Sequence, residues 1–269
     1  MALLEVKNLR RSFGGLVALQ QVSFAVNAGQ IKAIIGPNGA GKTTLFNLIS
    51  GLLKPETGQI TFRGQSLSGL EPYRVAWAGL SRTFQNPSLF PRLSVLENVM
   101  VGRHSRTRRE FVACALRWPG QAREEKAIRQ AALAELEYVG LADLAACPAG
   151  ALAFGQRRMV ELGRALATEP EMLLLDEPAS GLNTKEKEDL GELIRKIRRR
   201  AITILLVEHD MSLVMGLSDE ILVLHNGTPI AEGPPATVQN DPKVIGVYLG
   251  GESQHVASGK ESQMRLRQP

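Results

Sequence analysis

The sequence predicts an α/β fold that contains a buried β-sheet, an antiparallel β layer and an inserted helical segment. Continuous apolar runs typical of buried strands, alternating runs typical of half-buried strands, and a central stretch with helical periodicity all point to it. The buried runs are Ile31–Ile35, Met172–Leu175, Ile202–Val207 and Ile221–Leu224. A chain of 269 residues with 44% hydrophobic content is long enough for one large domain or two small ones.

The antiparallel layer is predicted by two alternating runs near the start of the chain. Leu3–Leu9 and Val22–Val26 alternate apolar and polar residues. A further short strand, Ile60–Phe62, follows a Pro- and Gly-containing turn and precedes Gly64. We expect these strands to form a small layer beside the buried sheet.

The segment 85–150 has the character of a helical subdomain. Ser94 and Glu97 have the spacing of a capping box, and apolar residues recur at helical spacing before Gly140. We therefore assign 1–84 and 151–235 to the core with its β layer, 85–150 to the helical subdomain, and 236–269 to a C-terminal extension. After Gly250 the sequence is polar and without pattern, which predicts a mobile tail.

A glycine-rich motif lies between a predicted strand and a predicted helix. It matches the pattern G-x-x-x-x-G-K-[ST]. Its residues are Gly36, Pro37, Asn38, Gly39, Ala40, Gly41, Lys42, Thr43 and Thr44. Such a loop directs backbone N–H groups at phosphate, with Lys42 for the β- and γ-phosphates and Thr43 for Mg²⁺. The alternative is a chance glycine-rich turn, which the flanking strand and helix make a poor explanation.

A second motif lies at the end of a buried strand. Asp176 ends the run Met172–Leu175 and is followed at once by Glu177. Asp176 is predicted to orient the ligands of Mg²⁺, and Glu177 to act as the general base toward a water. Alone, both acids could be a solvated strand end or a helix cap. Together with the phosphate loop they predict ATP hydrolysis.

Three further elements follow in order along the chain. Gln85 lies where the core meets the helical segment, Leu152–Gln156 precedes an apolar-periodic helix, and His209 follows the strand Ile202–Val207. With these motifs, residues 3 to 235 resemble the ATP-binding cassette (ABC) family. The resemblance implies a RecA-like nucleotide-binding core with ATP and Mg²⁺ as its ligands.

The resemblance also implies roles for individual residues. Gln85 is the Q-loop glutamine, which bonds metal and attacking water; Ser180–Asn183 is the D-loop, with Asn183 at the nucleotide; His209 is the switch histidine; and Phe13 stacks on adenine. Phe13 could instead be a core aromatic at a strand end. His209 could be a buried structural histidine, or could point elsewhere while Asp210 caps the next helix.

The signature segment departs from the family's Leu-Ser-Gly-Gly-Gln. Its residues are Leu152, Ala153, Phe154, Gly155 and Gln156, so the serine and the first glycine are replaced. The serine's bond to a γ-phosphate across the dimer interface is lost, a bond to a charged group that is worth about 1.5–3 kcal/mol. Backbone N–H groups at the start of the following helix still provide an anion site. We interpret the segment as functional but differently balanced.

The resemblance implies partners as well. One subunit supplies the phosphate loop and a second ATPase subunit, identical or different, supplies the signature, so we expect a head-to-tail dimer enclosing two ATP. Two membrane permeases and, indirectly, a solute-binding protein complete the assembly. The permease would dock near 85–93, where Pro87, Leu89, Phe90 and Pro91 form an apolar loop. Simple packing between subdomains is the alternative explanation for that loop.

Composition is consistent with a peripheral location on the cytoplasmic face of the inner membrane. No apolar run approaches the ~20 residues of a membrane span, and the N-terminus lacks a secretory pattern. Cys114 and Cys147 have no metal-ligand spacing, so we expect both to be reduced. A net charge of +5 is too modest to predict a nucleic-acid partner.

Several segments are similar to the ATPase of branched-chain amino acid importers. They include 13–16, 82–86 and 244–250. We expect import of branched-chain amino acids, with urea or short amides as the alternative solutes. A nucleic-acid ABC ATPase is less favoured, because the coiled-coil or zinc inserts of such cassettes are missing. A GTPase is disfavoured by the lack of an Asn-Lys-x-Asp motif, and a purely regulatory nucleotide-binding module is the other alternative.

Overall fold

The computed structural model describes residues 2–83, 88–103 and 121–248, and at 121–123 it describes the backbone alone. Gln85 and the C-terminal tail after Gly250 therefore lie outside the described residues. In that described part, two sheets and a set of helices pack around three apolar clusters. The mixed α/β fold with an antiparallel layer is confirmed.

In the described residues, ten strands form the two sheets. In chain order they are β1 (Ala2–Phe13), β2 (Leu16–Asn27), β3 (Ile31–Ile35), β4 (Thr57–Phe62), β5 (Gln65–Ser66), β6 (Leu80–Arg82), β7 (Met172–Asp176), β8 (Thr203–Val207), β9 (Glu220–His225) and β10 (Thr228–Gly233). The central sheet has the order β10-β9-β3-β8-β7-β6, parallel except for the antiparallel strand β10. Strands β3, β7 and β8 are buried along their full length, because helices cover a parallel sheet on both faces.

The antiparallel layer has the order β2-β1-β4-β5 and packs on the helix that follows the phosphate loop. Its inward side chains, among them Leu4 and Val6, share an apolar cluster with Leu45 and Phe46 of that helix. Strands β1 and β2 run beyond the predicted alternating runs. Register shifts between them place the polar residues Arg10–Ser12 within the strand, where the alternation is lost.

Nine α-helices lie between or after these strands in the described residues. They are α1 (Lys42–Ile49), α2 (Pro72–Trp77), α3 (Val95–Arg103), α4 (Gln121–Tyr138), α5 (Phe154–Leu166), α6 (Thr184–Arg199), α7 (Met211–Leu217), α8 (Pro235–Gln239) and α9 (242–248). None of the helices in the described ranges is long and apolar enough to cross a membrane.

The helical segment is built from α3 and α4, which pack on α5 through one apolar cluster. The capping box at its start is confirmed: Glu97 accepts the Ser94 N–H at 2.7 Å, and Ser94 Oγ accepts the Glu97 N–H at 3.2 Å. The boundaries at 85 and 150 stay a prediction, since 84–87 and 104–120 are outside the described residues.

The C-terminal extension begins as two short helices on one face of the central sheet. Val238 and Val244 are buried beside Ala33 and Ile35 of β3. The extension is therefore attached to the strand that leads into the phosphate loop.

Candidate nucleotide-binding site

The predicted site residues come together at the carboxyl end of the central sheet. Strands β3, β8 and β7 are parallel neighbours, and Asp176 pairs in register with Val207. The loops that follow these strands carry Gly36, Glu177 and His209. Three motifs that are far apart in sequence thus meet at one edge, as ligand sites in open parallel sheets do.

The phosphate loop needs glycine at two close approaches. A Cβ on Gly36 would lie 2.1 Å from the Leu224 carbonyl oxygen, and one on Gly41 would lie 2.5 Å from the Ala18 carbonyl oxygen. Both residues also have positive φ, 153° and 100°. The loop is therefore held tightly between β9 and β2, while Asn38 and Gly39 face solvent.

The amine of Lys42 lies inside this loop. It donates to the Gly36 carbonyl at 2.6 Å and to the Pro37 carbonyl at 3.0 Å. Burial lowers the pKa of Lys42, and the negative charges of Glu177 and Asp176 oppose that shift. The amine and the two carboxylates therefore belong to one electrostatic site.

The loop fits a phosphate group with an associated cation. Helix α1 begins at Lys42, and its N-cap Gly41 offers no side chain to the first N–H groups. Uncapped N–H groups and a buried amine are the donors that phosphates prefer. Among the described residues no cluster of three or more His, Cys, Asp or Glu could hold a metal alone. Proteins bind Mg²⁺ through one or two carboxylates together with phosphate oxygens, and the carboxylates of Asp176 and Glu177 lie close enough to Lys42 to act on its pKa.

Asp176 is buried and paired with Arg82. Arg82 Nη2 donates to Asp176 Oδ2 at 2.7 Å, and only 7% and 6% of the two side chains are exposed. Arg82 Nη1 also donates to Asn47 Oδ1 at 2.7 Å and to Ser50 Oγ at 3.0 Å, which ties the carboxylate to α1. The alternative interpretation of Asp176 as a solvated strand end is wrong.

Glu177 and His209 are in direct contact. His209 Nε2 lies 2.6 Å from Glu177 Oε1. Glu177 has a φ of 47°, unusual for a residue with a side chain, and its N–H donates to the Val207 carbonyl at 2.8 Å. The His209 side chain is 45% exposed, so the interpretation as a buried structural histidine is wrong. Asp210 does cap α7, through the N–H groups of Ser212 and Leu213, but this does not turn His209 away.

The signature segment starts helix α5. Ala153 is the N-cap, and its N–H donates to Gln156 Oε1 at 3.0 Å. Phe154 is exposed, and its ring lies 5.8 Å from the Arg158 guanidinium carbon. A Cβ on Gly155 would lie 2.5 Å from Glu186 Oε1, so this residue is close to helix α6.

The structure gives less direct support for two of the residues predicted to contact the nucleotide, Asn183 and Phe13. Asn183 caps α6, where its Oδ1 accepts the Glu186 N–H at 3.0 Å, so this oxygen already has a structural partner. Phe13 ends β1, is 43% exposed, and has the Arg11 guanidinium 4.9 Å from its ring. The interpretation of Phe13 as a core aromatic is therefore wrong. Gln85 lies outside the described residues.

Sequence reasoning gave no role to Arg82 or Glu208. Both lie next to a predicted site residue or motif. Glu208 directly follows the mostly apolar strand β8, and Arg82 ends the short strand Leu80–Arg82. A charge in such a place is rarely buried without a specific partner. That signal alone could have marked them, although their partners could not be read from the sequence.

Comparison with known proteins identifies the family. The family model described as "ABC transporter" matches residues 19–180. This chain belongs to the ABC transporter family. A second model, described as "Branched-chain amino acid ATP-binding cassette transporter", matches residues 228–253.

Relatives and solved structures support this membership. The high-affinity branched-chain amino acid transport ATP-binding protein BraF of Pseudomonas aeruginosa is 43% identical over 92% of this chain and 98% of its own length. The corresponding protein LivG of Escherichia coli K12 is 44% identical with the same coverage. A nucleotide-free ATP-binding cassette from an ABC transporter superposes with a TM-score of 0.81 at 35% identity, covering 92% of this chain and 99% of that one. The predicted family and fold class are confirmed.

Proposed function

We propose that this chain is the ATP-hydrolysing subunit of a membrane importer for branched-chain amino acids. The 2.6 Å contact between Glu177 and His209, beside the loop that holds Lys42, carries the ATPase part of the proposal. The names of BraF and LivG, with the second family match at 228–253, support the choice of solute. A urea or short-amide importer is the alternative on the same chemistry.

ATP binding is assigned to the loop 36–44. The N–H groups at the start of α1 and the Lys42 amine would bind its phosphates, and the exposed Phe13 ring is available to the adenine. Thr43, Asp176 and Gln85 would hold Mg²⁺, which neutralises charge on the phosphates when it is bound. Arg82 keeps the Asp176 carboxylate in one orientation.

Hydrolysis is assigned to the Glu177–His209 pair. Glu177 would take the proton of the attacking water as general base. The Nε2 atom of His209 holds the Glu177 carboxylate in place. His209 lies in the loop after β8, the strand next to β7. Because Glu177 has a positive φ, this orientation depends on the surrounding contacts to hold it.

The site would be completed by a second ATPase subunit. The solved structure of MJ0796 bound to ADP and Pi, 26% identical to this chain with a TM-score of 0.73, is described as dimeric, and this chain covers 98% of it. In a similar dimer the segment 153–156 would face the partner's nucleotide. Ala153 has no hydroxyl, so the contact would come from the N–H groups at the start of α5.

Two permeases are the proposed membrane partners, and a groove of about 310 Å³ between the core and the helical segment offers them a surface. Its lining includes Leu52, Val75 and Ala165 from the core and Val101 from the helical segment. Exposed aromatic residues, Tyr73 and Trp77, lie on the same helix as Val75. A cassette docked there would sit on the cytoplasmic face of the membrane, with the solute-binding protein on the other side.

In the loop predicted to form the docking surface, one apolar side chain packs inward and another is exposed. Leu89 packs against the core, as the packing alternative predicts, whereas Phe90 is 51% exposed. Pro87 lies outside the described residues. We therefore extend the proposed docking surface from this loop to the groove beside α2.

Glu177→Gln tests the proposed chemistry. We expect ATP affinity within about twofold of wild type, because the phosphate loop is unchanged, and a loss of steady-state hydrolysis of about 10²–10⁴-fold. The exposed Glu188→Gln is the matched control and should keep the wild-type rate. Wild-type turnover in Glu177→Gln would refute the role of Glu177 as general base.

A further inference from the structure

Glu208 is a buried carboxylate that the proposed chemistry does not use. Only 3% of the residue is exposed, and it lies between the last residue of β8 and His209. Within the described residues no Lys, Arg or His lies within ion-pair distance of its carboxylate, although the charge of Glu208 acts on Lys187, which pairs with Asp210. A buried carboxylate without a paired cation is expensive unless N–H groups satisfy it.

Backbone N–H groups from two different loops satisfy this carboxylate. Oε1 accepts the Ala179 N–H at 2.6 Å, in the loop after β7. Oε2 accepts the His209 N–H at 2.9 Å and the Asp210 N–H at 3.3 Å, in the loop after β8. Each oxygen therefore serves one loop, and the carboxylate joins the two.

These two loops carry the pair on which the proposed hydrolysis depends. Ala179 is two residues after Glu177, and His209 is adjacent to Glu208. The side chains of Glu177 and His209, which these same two loops carry, meet at 2.6 Å. Any change in the separation of the loops would change the distance between Glu177 and His209. The positive φ of Glu177 is disfavoured for a residue with a side chain, so contacts from the surrounding structure must maintain its backbone conformation.

A second, outer contact joins the same elements. Lys187 Nζ donates to Asp210 Oδ2 at 2.8 Å, which links helix α6 to the N-cap of α7. Lys187 is partly exposed, so solvent screens this ion pair. The buried Glu208 bridge is not screened in this way, and it is the stronger of the two links.

We propose that Glu208 is a positioning residue that holds the Glu177 and His209 loops in register, so that D-loop and switch-histidine segments move as one unit. This inference rests on the proposed function, since it assigns a role toward the same hydrolysis step. Glu208 has no direct contact with the attacking water or the phosphates in the proposed mechanism. It acts through the backbone N–H groups of Ala179, His209 and Asp210.

Glu208→Gln is the direct test, measured in the full chain assembled with its membrane partners. The amide keeps the shape of the side chain but presents an NH₂ donor in place of one acceptor, so only one loop can stay bonded. We expect kcat to fall about 10- to 100-fold, because one charge-assisted bond between the Glu177 and His209 loops is lost. KM for ATP should stay within twofold, because the contacts of Lys42 in the phosphate loop do not involve Glu208. Glu208→Asp, which keeps the charge but is one methylene shorter, should show a smaller loss in the same direction.

Hydrogen exchange in the nucleotide-free chain supplies a readout that does not depend on turnover. In Glu208→Gln the amide of Ala179 or of His209, whichever loses its acceptor, should exchange at least about 10-fold faster, whereas amides of α1 should not change. The exposed Glu188→Gln is again the control. Wild-type kcat in both Glu208 variants, or unchanged exchange at both amides, would overturn the inference.

Glu177→Gln, run in parallel, separates the two proposals. If it is inactive while Glu208→Gln has wild-type kcat, the positioning role alone fails. If it still turns over, the proposed general base fails. A Glu208→Gln variant that loses ATP affinity as much as kcat would also overturn the inference, because a general loss of structure would then explain it.

Discussion

Replacement of Arg82 by Met removes one partner of a nearly fully buried ion pair. The Arg82 and Asp176 side chains are 7% and 6% exposed, and the two are joined at 2.7 Å. Loss of one partner of such a pair leaves an uncompensated buried charge and costs about 3–5 kcal/mol. We therefore expect the free energy of unfolding to fall by that amount.

Two further variants separate the charge from the hydrogen bonds. Arg82→Lys keeps a positive charge but cannot reach Asp176, Asn47 and Ser50 together, so the loss should be about 1–3 kcal/mol. Arg82→Met combined with Asp176→Asn removes both charges and should recover most of the stability.

The assay is urea unfolding of the nucleotide-free chain at pH 7, followed by circular dichroism. Arg63→Met is the matched control, because its ion pair with Glu171 is exposed on both sides and should contribute at most about 1 kcal/mol. A loss below 1 kcal/mol in Arg82→Met, or a double variant no more stable than Arg82→Met, would refute the reasoning.

Two more predictions concern the loops around the site. Gly181 has a φ of 77°, and a Cβ there would lie 2.9 Å from the Phe154 ring; Gly181→Ala should therefore lower Tm by several degrees, and adding Phe154→Ala should restore part of the loss. If the added Phe154→Ala restores nothing, the ring contact is not the cause. The ion pair with Lys187 and the N–H groups of α7 hold the pKa of Asp210 well below its ordinary value. Since the unfolded chain then takes up the proton first, this stabilisation is present above about pH 4 and is lost as the pH falls through the folded-state pKa. Asp210→Asn, which can still cap the helix, should be less stable than wild type by up to about 1 kcal/mol at pH 7. The difference should shrink in unfolding experiments below pH 4, and a difference that grows there would contradict the assignment.

The phosphate loop and the acids at the end of β7 could be predicted because each is a contiguous sequence motif whose residue types indicate a chemical role. The run Ile31–Ile35 and the glycine-rich loop are contiguous, so each supports the other. Asp176 was recognisable for the same reason, as an acid that ends an apolar strand.

The contacts between the loops could not be predicted, because they join residues that are distant in sequence. Arg82 reaches from β6 to Asp176 of β7, and Glu208 reaches from the loop after β8 to Ala179 in the loop after β7. Strand β6 has only three residues, too few for a period to appear. The order of the strands in the sheet determines which loops meet, and that order could not be read from the sequence alone.

Transport in reconstituted vesicles tests the central claim most directly. The chain is purified with its membrane partners, placed in liposomes, and assayed for ATP hydrolysis and solute uptake with binding protein loaded with leucine or with urea. We expect leucine-loaded binding protein to stimulate both activities, and Glu177→Gln to abolish both. Stimulation by urea alone would contradict the proposed solute, and leucine uptake in the Glu177→Gln complex would contradict the claim that this chain's ATP hydrolysis drives transport.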